Sequence, residues 1–216
     1  MATLTAQQVL NAYARGIFPM ARSARSRDLF WVDPEERGII PLETFHVPTR
    51  LKRTVRADVF EVRINTRFAD VMAACAAPAP GRGETWINST IHKLYGELHA
   101  LGHAHSVEAY REGELVGGLY GVSLNAAFFG ESMFSRARDA SKVALVHLVA
   151  HLKLKGFTLL DTQFLTPHLA QFGAIEIPRE RYLGFLESSS LAVGSFGSVP
   201  NSLSGVEVLQ SVSQTS

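Results

Sequence analysis

The sequence predicts an α+β fold, and three features carry that prediction. Apolar residues recur at helical spacing in separate windows before and after a central block. That block, from His105 to Gly130, alternates or runs continuously apolar around Glu112-Gly113, which marks antiparallel hairpins. The resulting order is helix, helix, three-strand meander, helix, strand, helix, with no internal repeat.

Taken in order, Thr5 to Arg15 reads as a helix with both ends marked. Thr5 and Gln8 make a capping box, Leu4 and Val9 a hydrophobic staple, and Gly16 stands where a C′ glycine belongs. An apolar turn follows at Ile17-Phe18-Pro19-Met20, then a short strand at Phe30-Trp31-Val32. Phe60 to Ile64 is a strand. A helix capped by Asn65 or Thr66 then buries Phe68, Val71, Met72 and Cys75. Pro78 to Gly83 is a loop, and Thr85-Trp86-Ile87 returns toward the core. Ile91, Leu94, Tyr95 and Leu98 stripe the next helix, which stops at Gly102. Ser106–Tyr110, Leu115–Val122 and a third strand ending at Phe129 form the meander. The helix Asp139–Lys155 ends at Gly156, and Phe157–Leu165 is a strand. A short helix has Thr166 as N-cap, Pro167 at N1 and Gly173 at C′. This order fits the acyltransferase fold of the GCN5-related N-acetyltransferases. Residues 1–50 are expected as a small N-terminal domain, 51–187 as the acetyltransferase-like domain and 188–216, rich in Ser, Gly and Val, as a loose tail.

With 216 residues, 46% hydrophobic and 19% charged, the chain belongs with ordinary globular proteins rather than disordered ones. Its single cysteine, Cys75, excludes an internal disulfide and sits in a buried pattern. No apolar run spans a bilayer and residues 1–20 make no signal peptide, so a cytoplasmic protein is expected. The formal charge is only +1, but it is unevenly spread. Arg50, Lys52, Arg53 and Arg56 run without an acid among them, and Arg15, Arg22, Arg25, Arg27 and Arg37 precede them. That third of the chain is either a phosphate-binding face or an ordinary solvated surface.

Three polar residues stand out against apolar strands. Asp161 and Gln163 share a face at period two, and Glu131 ends another strand. A buried carboxylate is costly unless paired, so each is a hydrogen-bond anchor or a working group, and together with an amide they suit the handling of an amine. Other chemistries lack their signatures. His99, His103 and His105 have no His-Glu-x-x-His run or cysteine pair for a metal. There is no Gly-x-Ser-x-Gly elbow, no dinucleotide or P-loop glycine pattern, and no coenzyme A pyrophosphate turn before Asp139.

Several blocks in register then resemble one family. They are Ala12-Tyr13-Ala14-Arg15-Gly16-Ile17-Phe18-Pro19, Thr85-Trp86-Ile87, Leu98 to Glu108, Leu115 to Gly121, Gly130 to Ser135, Ala140-Ser141-Lys142 and Asp161-x-Gln163. Over roughly residues 4–186 the chain resembles leucyl/phenylalanyl-tRNA–protein transferase. The resemblance implies transfer of leucine or phenylalanine, and less well methionine, from tRNA to the N-terminal Arg or Lys of acceptor proteins. Such tagging marks the acceptor for N-degron degradation. An aminoacyl ester yields an amide downhill, so no cofactor is implied.

By the same resemblance Gln163 accepts a hydrogen bond from the attacking amine and Asp161 orients and polarises it. Glu131 pairs with the basic acceptor terminus or helps to position the aminoacyl group. Trp86, Tyr95, Leu119, Phe128, Leu145, Leu152 and Leu160 align with pocket and adenosine contacts, with Trp86 the best stacking residue. For Leu145 and Leu152 a plain core role fits equally. Arg15, Arg50, Lys52, Arg53 and Arg56 would meet acceptor-stem phosphates. Met20 stands where the family usually has Trp, and Phe30-Trp31-Val32-Asp33-Pro34 replaces its Trp-Trp-Ser-Pro; Phe30 or Trp31 is the expected substitute. The alternative class is a coenzyme A-dependent N-acetyltransferase.

Overall fold

A computed structural model describes residues 4–26, 28–78, 84–197 and 203–214. Arg27, residues 79–83 of the expected loop and parts of the C-terminal stretch lie outside the described residues. The chain opens with α1 (Ala6–Tyr13), whose Thr5–Gln8 capping box forms as the sequence predicts. Gly16 follows at φ +76°, a conformation glycine adopts without penalty. Strands β1 (Phe18–Ala21) and β2 (Leu29–Val32) pair as a small antiparallel ribbon. Then come β3 (Glu36–Ile40), α2 (Thr49–Arg56), β4 (Glu61–Ile64), α3 (Phe68–Ala76) and α4 (Ser89–Ala100). The meander is β5 (Ala104–Arg111), β6 (Glu114–Leu124) and β7 (Ala127–Ser135). Helix α5 (Ala140–Leu154), β8 (Leu159–Gln163), α6 (Pro167–Ala170), β9 (Ile175–Pro178), α7 (Arg179–Leu191) and α8 (Gly205–Ser213) complete the described elements.

Seven strands form one mixed sheet in the order β4-β5-β6-β7-β8-β3-β9. All neighbours are antiparallel except β7 and β8, which run parallel as the α5 crossover between them requires. Each face of the sheet carries its own core. On one, Leu51 and Val55 of α2, the apolar face of α5, and Val208 and Val212 of α8 pack together with Phe128 and Leu160. On the other, α1, α3, α4 and α7 pack against Tyr120, Phe129 and Leu159. The molecule is therefore three layers deep, with the sheet in the middle.

Several expectations are corrected here. The third meander strand continues to Ser135 rather than ending at Phe129. Neither Asn65 nor Thr66 supplies the cap of α3. Instead the buried Glu108 carboxylate accepts the backbone N–H groups of Thr66 and Arg67, at 3.1 and 3.2 Å. The stretch expected as a loose tail contains the end of α7, a buried Phe196 and α8. A Cβ on Gly205 would fall 1.8 Å from the carbonyl oxygen of Val55, so only glycine lets α8 lie this close to α2. Arg37, counted with the basic face, is instead 1% exposed inside the protein.

Candidate active site

Strands β7 and β8 stay hydrogen-bonded only from Ala127 to Phe129 and from Leu159 to Asp161. Beyond that point they part, and a cavity of about 810 Å³ opens between them. Gly130 to Ser135 line one wall, Thr162, Gln163 and Phe164 another, and Leu119, Leu145, Leu148 and Leu160 make its lining largely apolar. Phe18, Met20, Trp86 and the exposed Phe164 also line it. Two side-chain atoms along this wall, Oγ1 of Thr162 and Nε2 of His168, are buried without a hydrogen-bond partner among the described residues.

Glu131 enters the cavity because of a β-bulge. On β6, Gly121 and Tyr120 are consecutive, yet they face Gly130 and Ser132 on β7, so Glu131 is the extra residue. A bulge re-aims the side chain it carries and interrupts the strict alternation of the strand. Oε1 of Glu131 accepts the Tyr13 hydroxyl at 2.6 Å, and Oε2 accepts that of Tyr95 at 3.2 Å. The two phenol oxygens lie 2.5 Å apart. Each phenol has a single proton and both face Glu131, so the short contact between the two oxygens shares one of those same protons. Burial, and then the Glu131 charge, push both phenols well above their ordinary pKa, which keeps them donors.

Burial also raises the Glu131 carboxyl, to about 7. The Tyr13 hydrogen bond opposes that rise, the Asp161 charge adds to it, and Tyr95 and Arg37 oppose it. Gln163 completes the set, with Nε2 placed 3.4 Å from Oε1 of Glu131. An ionised carboxylate only accepts, so the amide nitrogen must face it and the amide oxygen is left for another donor. The Gln163 backbone is at φ +59°, in the left-handed region that side chains rarely adopt.

Asp161 is fully buried and its oxygens are already committed. Arg37 reaches it with Nε at 3.0 Å from Oδ1 and Nη2 at 2.6 Å from Oδ2. Tyr182 donates to Oδ2 at 2.7 Å, and the Gln163 backbone N–H donates to Oδ1 at 2.7 Å. Asp161 therefore touches the main chain of Gln163. No hydrogen bond joins it to the Gln163 carboxamide among the described residues, and sequence reading anticipated neither Arg37 nor Tyr182.

Of the residues aligned with the pocket, Trp86, Leu119, Leu145 and Leu160 line the cavity together with Glu131 and Gln163. Tyr95 stands behind Glu131 as its hydrogen-bond donor. Phe128 and Leu152 do not line this cavity and are buried in the core, the role that fitted Leu152 equally; Phe128 packs on Phe157 and Phe196 beneath the sheet. Arg50, Lys52, Arg53 and Arg56 are exposed along α2. Arg50 lies 3.6 Å from Asp139, at the start of α5 beside cavity-lining Ser141. Arg15 is exposed too, but α1 and α2 pack on opposite faces of the sheet, so it is not part of that row. The expected substitutes Phe30 and Trp31 are exposed on β2 and do not line the cavity. The three clustered histidines serve separate contacts: His99 stacks on Phe68, His103 approaches the Ser123 carbonyl and His105 stacks on Phe196.

A mixed sheet opened between two parallel strands thus holds a carboxylate and a carboxamide over a largely apolar cavity. Family models described as leucyl/phenylalanyl-tRNA protein transferase and its N-terminal domain match residues 39–187 and 2–35. The transferase of that name from Phenylobacterium zucineum is 63% identical over 196 residues, covering 91% of this chain and 89% of its own. That from Rhodopseudomonas palustris strain HaA2 is 59% identical over 199 residues, covering 92% and 89%. The chain belongs to the leucyl/phenylalanyl-tRNA–protein transferase family. The crystal structure of FemX superposes with a TM-score of 0.53 at 12% identity, over 78% of this chain and 65% of FemX, a likeness of fold. Among the described residues no helix is long and apolar enough to cross a membrane.

Proposed function

We propose that this chain moves leucine or phenylalanine, and less well methionine, from aminoacyl-tRNA to the N-terminal Arg or Lys of an acceptor protein. The carrying observation is the Glu131–Gln163 pair beside a largely apolar cavity of about 810 Å³. The aminoacyl side chain occupies the part walled by Leu119, Leu145, Leu148 and Leu160, and Trp86 meets the terminal adenosine. The exposed cations of α2 draw in the acceptor-stem phosphates. The fold is read as acetyltransferase-like, with the cleft turned from coenzyme A to tRNA, and the setting is the cytoplasmic N-degron pathway.

An N-terminal amine has a pKa of about 7.7–8, so at pH 7 roughly a tenth is neutral before the enzyme acts. Ionised Glu131 attracts the ammonium form. Its pKa of about 7 lies close enough to that of the amine for it also to take the proton that must leave. Sequence reading assigned it the first of these tasks only. The free oxygen of the Gln163 carboxamide accepts an amine hydrogen and aims the lone pair at the ester carbonyl. The C–N bond forms, the ester C–O bond breaks, and the second amine proton leaves on the ribose 3′ oxygen. The chain's part is to bind, orient and take up one proton.

The test is to mix the protein with leucyl-tRNA and an Arg-initiated peptide. A leucylated peptide supports the reading. Its absence, or acetylation of the same peptide from acetyl-CoA, overturns it.

A further inference from the structure

We propose that Arg37 is a positioning residue of this site: through Asp161 it fixes the main chain of Gln163 and so aims the carboxamide that works with Glu131. The inference rests on the reading of Gln163 given above, and it assigns a purpose to a buried arginine that is not among the residues lining the cavity.

The chain of contacts is continuous. Asp161 cannot hold Gln163 unless it is itself held, because an ionised carboxylate at 0% exposure needs compensation. Arg37 supplies it with a fork of two nitrogens, a fixed planar geometry that a lysine cannot reproduce. Its remaining arm donates to the carbonyl of Gly16 at 2.7 Å. The guanidinium lies 4.7 Å from the ring centroid of Phe18 and 4.5 Å from that of Tyr182, so it cannot swing away. Burial alone would lower the Arg37 pKa, yet the Asp161 charge and hydrogen bonds outweigh it and the guanidinium stays charged.

The held end is the strained one. β3 and β8 pair with a register shift, Gly38 facing Gln163 and Ile39 facing Asp161, which leaves Thr162 as an extra residue. A Cβ on Gly38 would lie 2.4 Å from the carbonyl carbon of Phe164, so β3 presses closely on the turn that follows Gln163. A left-handed non-glycine residue persists only where its surroundings over-determine it. Here the Asp161 carboxylate accepts the Gln163 N–H and Gly38 admits the turn. Arg37 precedes Gly38, so one short strand supplies both the counter-ion and the gap.

The experiment is a double-mutant cycle on kcat and KM with Arg37→Met and Asp161→Asn, singly and together, alongside Gln163→Ala. If Arg37 acts through Asp161, each single variant loses about 10- to 100-fold in kcat with KM for the charged tRNA little changed, and the double variant loses no more than Asp161→Asn. Additive losses, or a loss confined to KM, would overturn the proposal. Should Arg37→Met fail to fold by circular dichroism, Arg37→Lys and Tyr182→Phe carry the same test; unchanged kcat in both overturns it. An unchanged kcat in Gln163→Ala would instead remove the reading on which the inference stands, and both would fall together.

Discussion

The hydroxyl of Tyr13 donates to Oε1 of Glu131 at 2.6 Å, so the first helix of the chain reaches a carboxylate on the seventh strand and opposes the rise that burial gives its pKa. Tyr13 is 0% exposed and its ring lies 4.7 Å from that of Phe129, which fixes its reach. The N-terminal helix thus reaches the cavity-lining Glu131 directly.

Tyr13→Phe removes the larger of the hydrogen bonds that hold the Glu131 pKa down against burial. The groups facing Glu131 are then Tyr95 and Gln163 directly, with the charges of Asp161 and Arg37 behind. The carboxyl should protonate at higher pH. The rising limb of kcat against pH, set by a group of about 7 in the parent, should move upward in the variant, with lower activity at pH 7. A limb that stays in place would separate Glu131 from the rate.

His105, His147 and His151 are buried, and burial lowers each pKa to about 4. In the unfolded chain each takes up its proton near the ordinary value of about 6.5. Their folded values are depressed, so the stability they contribute is present above that pH and is lost as pH falls toward 4. The slope is about 1.4 kcal/mol per pH unit for each histidine once the unfolded form is fully charged. Urea midpoints measured from pH 7.5 to 4.5 should therefore fall steeply below about pH 6.5. A flat profile across that range would contradict the burial of all three.

Much of the fold was legible because local chemistry and tertiary packing agree. The Thr5–Gln8 box, the Glu112-Gly113 turn with both residues at positive φ, and the Thr166-Pro167 start of α6 follow from short-range geometry alone. β3 and β9 were missed because each has only a few residues and Glu36-Arg37-Gly38 does not look like a central strand. α2 was read as a charge run, since only Leu51 and Val55 mark its buried face. α8 carried its own signal, Ser204 and Glu207 as a capping box before Val208 and Val212, hidden in a Ser- and Gly-rich stretch. Within the site, residue type singled out Glu131, Asp161 and Gln163. Their partners were not legible: a bulge moves Glu131, and Arg37 pairs with Asp161 across 124 positions.

Arg53 is exposed in the last turn of α2, and no salt bridge holds it among the described residues. On the proposed reading its contribution to tRNA binding is long-range and screened by salt. Arg53→Ala should weaken tRNA binding several-fold at low ionic strength and far less at high, while kcat at saturating tRNA is unchanged. Equal affinity of parent and variant at every salt concentration in a filter-binding titration would remove α2 from the tRNA surface.

Leu145 is 3% exposed, yet it lines the cavity from α5, so its volume bears on what the cavity admits. A methylene gained or lost in an apolar pocket changes discrimination by about 1–3 kcal/mol. Leu145→Ala enlarges the space near Leu148 and Leu160 and should favour phenylalanyl over leucyl transfer by roughly tenfold in relative kcat/KM. Stability should also fall, by about 2–5 kcal/mol if the site does not collapse. Leu152→Ala is the control, since Leu152 lies on the same helix but only in the core. It should cost similar stability and leave the leucine-to-phenylalanine ratio where it was. Competition between the two charged tRNAs for one Arg-initiated peptide measures that ratio directly. If both variants shift it alike, the selectivity belongs to the softness of the core and not to this wall of the cavity.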